Sequence, residues 1–492
     1  MLASPPTQSL APSFLPDVQG IVFSGYGQLP HARYIFFHFT SRPEARAWVA
    51  SVLPLVTTAE PYPVVNGKKQ KPDKALNLAF TPAGLVALGI SQETMDTFPL
   101  EFVSGIESRS AILGDTGISA PENWDVGGPK NPVIHAMLMA FGREEHILAA
   151  FVAEQEKLVE RTYGGVVQIV EESGYRHPDQ KEHFGFHDGV SQPDIDGIGR
   201  VPHGDPSCIK RGEVVLGHLN AYDTYPLSPV VPDSQDPAQL LPRLPDGAYP
   251  HLRDLGRNGS YIVYRKLAQD VAGFWEFFEK HAGADSFAMI QLAAKMVGRW
   301  PSGAPITLRP DFDDLRLAND NQFDYMPQDP DGYRCPIGSH IRRANPRDSK
   351  VNDTPDESTQ TSSRHRLVRR ALSYGKPLFR RDALDRGEAP IGLQDDGHPR
   401  GLHFISINAS ITRHFEFVQQ TWCDSPTFNA EFETKDPIIG SNDGKGYMTI
   451  QGCPVRTRVG NMPRFVTVRG GSYMFMPGLT ALRFLSTPLQ SS

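Results

Sequence analysis

Cysteine is scarce in this chain. The four residues Cys208, Cys335, Cys423 and Cys453 are scattered over 492 positions, and no Cys-x-x-Cys pair occurs. Neither a disulfide framework nor a thiolate zinc cluster is therefore expected. Long apolar runs are missing too: no stretch reaches the ~18 apolar residues of a membrane-spanning helix, so no membrane contact is expected. Basic charge is not in excess. Against 56 Asp and Glu stand 49 Lys and Arg, a net charge of −7, which speaks against a nucleic-acid partner that would require a basic face. The opening Met1-Leu-Ala-Ser-Pro-Pro-Thr-Gln8 has no positive region, no apolar core and no twin-arginine pair, so no export leader is read and a cytoplasmic location is expected.

What is present suits a large folded core. Hydrophobic residues make up 39% and charged residues 21%, and the length suggests two or three domains. After a Pro- and Ser-rich leader at 1–16, the apolar and aromatic runs 32–39, 76–80, 133–139 and 166–170 read as strands. Between them lie two helical patterns. One covers 42–52, where Ser41 and Glu44 suggest a capping box. The other covers 144–160, with Ile147, Phe151 and Leu158 on one face. That order is β-α-β-β-α-β, the ferredoxin-like pattern. It recurs with strands at 261–266, 366–371, 402–408, 465–468 and 473–476, and helices at 268–281 and 411–420. The expectation is an α+β protein of two ferredoxin-like halves, 17–225 and 251–492, joined by a Pro-rich connector at 226–250.

Three stretches carry distinctive chemistry. His183-Phe-Gly-Phe-His-Asp-Gly-Val-Ser-Gln-Pro193 sets one carboxylate, Asp188, beside glycines that permit a tight turn. Cys335-Pro-Ile-Gly-Ser-His-Ile-Arg-Arg-Ala-Asn-Pro-Arg347 sets His340 among several cations. Arg364-His-Arg-Leu-Val-Arg-Arg-Ala-Leu-Ser-Tyr-Gly375 crowds four arginines before a Tyr-Gly pair. Each has a plainer alternative. Asp188 could be a turn Asp bonding its own backbone, and His340 a surface or core histidine. His183 and His187 would suit a metal pair on a helix, but Gly185 between them argues against one.

Taken together and in this order, the stretches resemble the dye-decolorizing peroxidases, with the likeness running from Asp17-Val-Gln-Gly20 to the 465–473 segment. The length is similar to that of the larger subclasses. The resemblance implies a dimeric α+β-barrel-like fold and one haem b per chain, held mainly by the second half. It also implies hydrogen peroxide as oxidant and aromatic dyes and phenols as electron donors. Position by position, it makes Asp188 the distal acid–base residue, His340 the axial iron ligand and Arg369 the distal cation. Asn345 and Arg347 are implied as contacts of the haem carboxylates, and Leu402 and Phe404 as the dry wall of the distal pocket, with His403 pointing away. Cys335 is a weaker rival ligand. An axial imidazole needs an acceptor for its other ring N–H; Glu416, within 411–420, is the candidate.

Two departures from relatives stand out. Ala371 occupies a position where some carry Asn, and Ser373 one where many carry Pro. The tail 486–492 lacks the Gly-Ser-Leu pattern of relatives packaged in protein shells, so no packaging is expected. The rival readings are haem iron release and haem storage; a proton-carrying Asp188 beside Arg369 is of no use to storage. An Asp base also stays ionised in acid better than a His base would, so dye oxidation is expected to persist at acidic pH.

Overall fold

A computed structural model describes residues 13–198 and 208–488. The leader expected at 1–16 lies outside the described residues up to 12, and so do residues 489–492 of the tail. The first half runs β1 (His31–Phe39), α1 (Arg42–Val52), β2 (Lys74–Phe80), β3 (Ala136–Gly142), α2 (Glu145–Glu160) and β4 (Val166–Tyr175). The second runs β5 (Ser260–Gln269), α3 (Val271–Ala282), α4 (Ser286–Val297), a short α5 (His340–Ala344), β6 (Val368–Arg369), β7 (Leu372–Tyr374), β8 (Gly401–Asn408) and β9 (Val466–Met476).

The strands close into a ring. The order is β5-β9-β2-β3-β1-β4-β7-β8, and β8 pairs back with β5, while β6 continues beside β7 on the edge of β8. Within this ring, β2-β3-β1-β4 and β9-β5-β8-β7 are two ferredoxin-like sheets. They meet at seams of one residue pair each, Phe475 with Phe80 and Ser373 with Tyr175. Alternation along each strand separates two cores. Tyr34, Phe36, Met137, Met139, Tyr264, Ile405 and Met474 fill the barrel. Ile35 and Phe37 point outward to Trp48, Val49 and Phe151 of the helices. A third core, built on Phe274, Trp275 and Phe278 of α3, underlies the second half.

Several local expectations shift. The strand expected at 133–139 is Ala136–Gly142, and all seven of its residues are buried. Ser41 does not cap α1 through the backbone; its hydroxyl bonds the Glu44 carboxylate instead. The buried stripe of α2 is Leu148, Phe151, Val152 and Gln155, one position round from Ile147. The two strands expected at 465–468 and 473–476 are one. Gly470 and Gly471 do not break it: they admit the 124–128 backbone, and a Cβ on Gly470 would lie 2.8 Å from the Val126 carbonyl oxygen. The helix expected at 411–420 is widened into π-helical turns, Thr412–Glu416 and Val418–Cys423, with Glu416 N–H donating to the Ile411 carbonyl.

Candidate active site

The segment carrying Asp188 is a closed turn pinned to the third core. Phe184 stacks on Phe274 with ring centroids 4.2 Å apart, and Phe186 meets the same ring edge-on at 6.3 Å. Gly185 lies between them at φ +100°, and a Cβ there would come within 2.3 Å of Leu384 Cδ1. Gly189 follows at φ +84°, again in the region that favours glycine. With both phenylalanines inward, Asp188 faces a cavity of about 280 Å³. Its Oδ1 accepts the Gly189 N–H at 2.6 Å, so the turn role and the exposed carboxylate coexist. The Arg369 Nη2 lies 4.0 Å from the same oxygen.

His340 opens α5 and lines the same cavity. Its Nδ1 lies 2.9 Å from Oδ2 of Asp436, a fully buried carboxylate whose Oδ1 accepts the N–H groups of Ile438 and Ile439. Burial opposes a charge on the ring, but the Asp436 charge and hydrogen bond outweigh it and the pKa moves up. Among the described residues no protein group bonds Nε2. Asp436 thus takes the place expected of Glu416. Glu416 is instead held by Arg109 Nε and Nη2 at 2.9 and 2.8 Å and by the Tyr473 hydroxyl at 2.9 Å. The sequence did not expose this exchange, because Asp436 comes from an irregular loop with no periodic signal.

The arginines divide sharply. Arg342 pairs with Asp329 and lies over the Tyr325 ring, and Arg343 donates to the carbonyls of Gly338, Trp422, Ser425 and Thr434; both are buried structural groups. Arg347 is not on the cavity wall: its guanidinium donates to the Asn321 and Phe323 carbonyls and to Asn321 Oδ1, and stacks on Phe323. Asn345 is on the wall, and so is Arg366, which the motif reading passed over. The Arg366 guanidinium has no hydrogen-bond or ion-pair partner among the described residues, and burial together with Arg347 and Arg369 pushes its pKa down to about 9. Arg370 turns the other way from Arg369, to the Ile21 and Val22 carbonyls.

Leu402 and Phe404 line the cavity with Phe415, Val418, Ile439 and Val466. His403 points into the barrel, 3.1 Å from the Tyr264 hydroxyl. Cys335 is buried beside Ser339 and is not on the wall. The donor set fits a haem: one tethered imidazole with a free nitrogen, apolar walls, and an unpaired guanidinium for a carboxylate. His183 and His187 do not converge on a metal. They bond the Tyr374 and Ser302 carbonyls, and no cluster of three metal-ligating side chains occurs among the described residues. A second, more polar cavity of about 410 Å³ shares Glu182, Asp188 and Arg369 with the first.

The chain and its fold have known counterparts. Residues 17–174 match the model of the DyP dimeric alpha+beta barrel domain. Peroxidase 2 of Mycetinis scorodonius is 30% identical, over 95% of this chain and 87% of its own length. The multifunctional dye peroxidase DyP2 of an Amycolatopsis species is 28% identical over 92% and 91%. Among solved structures, an ancestral D-type dye decolorizing peroxidase superposes with a TM-score of 0.76 at 26% identity, covering 97% of this chain and all of the other. A dye-decolorizing peroxidase in complex with 2,6-dimethoxyphenol superposes with a TM-score of 0.73 at 25% identity, covering 96% and 99%.

Proposed function

This chain belongs to the dye-decolorizing peroxidases, and on that premise we propose that it binds one haem b, reduces hydrogen peroxide and oxidises dyes and phenols in one-electron steps. The observation that carries the proposal is a single cavity that collects Asp188, Arg369 and the Asp436-tethered His340. When bound, the haem supplies the redox chemistry that splits peroxide and draws electrons from the donor. His340 would hold its iron through Nε2, and Asp436 would fix the ring orientation and make it a stronger ligand. Arg366 and Asn345 are the wall residues suited to its carboxylates, in place of Arg347.

The Asp188 carboxylate would take the proton from one peroxide oxygen and deliver it to the other, which leaves as water, the two electrons that this reduction needs coming from the bound haem. The Arg369 guanidinium offsets the negative charge that develops as the O–O bond breaks. The loose 4.0 Å approach of Asp188 to Arg369 suits this division, because a tight ion pair would occupy the carboxylate. Leu402 and Phe404 keep water from the reacting centre. A dye too large for the cavity would give up electrons at the surface, and Tyr333 is half exposed there.

The test is the absorption spectrum of the haem-loaded protein. One equivalent of peroxide should shift it at once, and added dye should restore it. Haem that binds without any shift would refute the peroxidase reading.

A further inference from the structure

Glu182 stands just before the Asp188 turn and takes no part in the chemistry above. Its side chain is nevertheless engaged at both oxygens. Oε1 accepts the Phe186 N–H at 2.9 Å; Oε2 accepts the Phe184 N–H at 2.8 Å and Gln269 Nε2 at 2.5 Å. The main chain closes the same ring: Glu182 N–H donates to the Phe186 carbonyl and Gly185 N–H to the Glu182 carbonyl, each at 3.0 Å. These are the backbone groups on either side of Gly185, whose φ of +100° sets the direction in which the chain leaves toward Asp188.

The carboxylate is an expensive choice for this position. Burial pushes its pKa up to about 6, against the N–H donors that favour the ionised form, and the nearby Asp188 charge adds to the rise. An apolar side chain would remove that penalty but would leave two backbone N–H groups without acceptors. Glutamine would not replace it either. A carboxylate offers two acceptor oxygens, whereas an amide offers one oxygen and one NH₂. Phe184 and Phe186 donate to separate oxygens, so one of them would face a second donor.

We infer that Glu182 is the positioning residue of the Asp188 turn: its carboxylate holds the 184–186 backbone so that Asp188 faces the cavity and stays within reach of Arg369. The inference rests on the reading of Asp188 as the acid–base group. Gln269 ties the arrangement to β5, the strand that also sends Arg265 and Leu267 to the cavity wall. The turn is thereby referenced to the same strand as the cavity rather than to its own loop alone.

The experiment compares the haem-loaded parent with Glu182→Gln, Glu182→Asp and Asp188→Asn by amide hydrogen exchange and by steady-state kinetics. Glu182→Gln should lose at least tenfold of the exchange protection at Phe184 and Phe186 while β5 amides and the haem spectrum stay parental. Its kcat/KM for peroxide should fall at least tenfold, with KM for the dye within twofold, a split that general destabilisation does not produce. Glu182→Asp keeps the charge but is one methylene too short to span both N–H groups, and should show the same local loss even if the Gln variant does not accumulate. Asp188→Asn should lose the peroxide reaction yet keep the protection at Phe184 and Phe186. Parental protection and a peroxide rate within twofold in the Glu182 variants would overturn the inference. A parental peroxide rate in Asp188→Asn would instead overturn the acid–base reading, and the exchange data would still decide whether Glu182 holds the turn.

Discussion

Single side chains divide the work of the cavity, and their partners make them separable. His340→Ala removes the one imidazole on the cavity wall that, among the described residues, is tethered to a buried carboxylate, and should abolish haem binding in a spectrophotometric titration. Asp436→Asn should keep a ferric haem spectrum but weaken haem affinity by about 10–100-fold, the usual effect of losing the partner of a metal-bound histidine. Glu416→Gln tests the corrected assignment. It should leave haem affinity parental and lower stability instead, by about 1–3 kcal/mol, because the amide keeps one acceptor oxygen but removes the charge and the Oε2 acceptor that Arg109 Nη2 uses. Asp188→Asn and Arg369→Leu should both retain haem, and in rapid mixing Asp188→Asn should slow the peroxide step by about 10²–10⁴-fold.

Elements set where those side chains point. The Asp188 turn depends on two glycines in unequal ways. A Cβ at Gly185 meets Leu384 at 2.3 Å, whereas one at Gly189 meets nothing within 4 Å, although both positions have positive φ. Gly185→Ala should therefore destabilise the protein by more than the ~1–3 kcal/mol of backbone strain alone, and Gly189→Ala by no more than that strain. Chemical denaturation of the two variants decides it; equal losses would mean that the Leu384 contact relaxes freely. The π-helical segment near Glu416 works in a similar way. Its wide turns bring Glu416 against Tyr473 on β9 and Arg109 in the first half, away from His340.

Across the whole molecule, acid should act on activity and on stability through different groups. His183 and His403 are fully buried; burial lowers their pKa values to about 4 and about 3. Each is neutral in the fold but would take up a proton in the unfolded chain near pH 6.5. Their contribution to stability is thus complete above pH 6.5 and is lost progressively as the pH falls toward 4. Glu182 and Asp254, raised by burial to about 6, oppose this in part as they become protonated. The melting temperature should drop between pH 7 and pH 4, while short dye-oxidation assays at pH 4 remain active through Asp188. A flat or rising melting temperature would show that the two histidines do not outweigh the Glu182 and Asp254 carboxylates. No helix among the described residues is long and apolar enough to cross a membrane. We propose that 17–225 and 251–492 are the two units of the barrel, since each supplies four neighbouring strand positions of the ring.

Local signals located most of the barrel strands and helices, with shifted bounds, while the motif residues were singled out by family resemblance. Apolar and aromatic runs marked the barrel strands, because strands covered on both faces bury nearly every side chain, and glycine spacing marked the Asp188 turn, because few residues adopt positive φ. Leu402, Phe404 and Asn345 were legible through motif position and do reach the cavity wall. Contacts between distant segments were not legible. Asp436 is 96 residues from His340, and Arg109 is 307 from Glu416; a loop carboxylate and a helix carboxylate look alike until the chain has folded. Arg366 and Arg347 both sit beside motifs, yet only the packed structure leaves one guanidinium unpaired at the wall and binds the other to carbonyls. Residue type and spacing thus determined which groups this chain could use. Tertiary structure alone decided which of them have no partner, because a charged group is free for chemistry only where folding has given it no other contact.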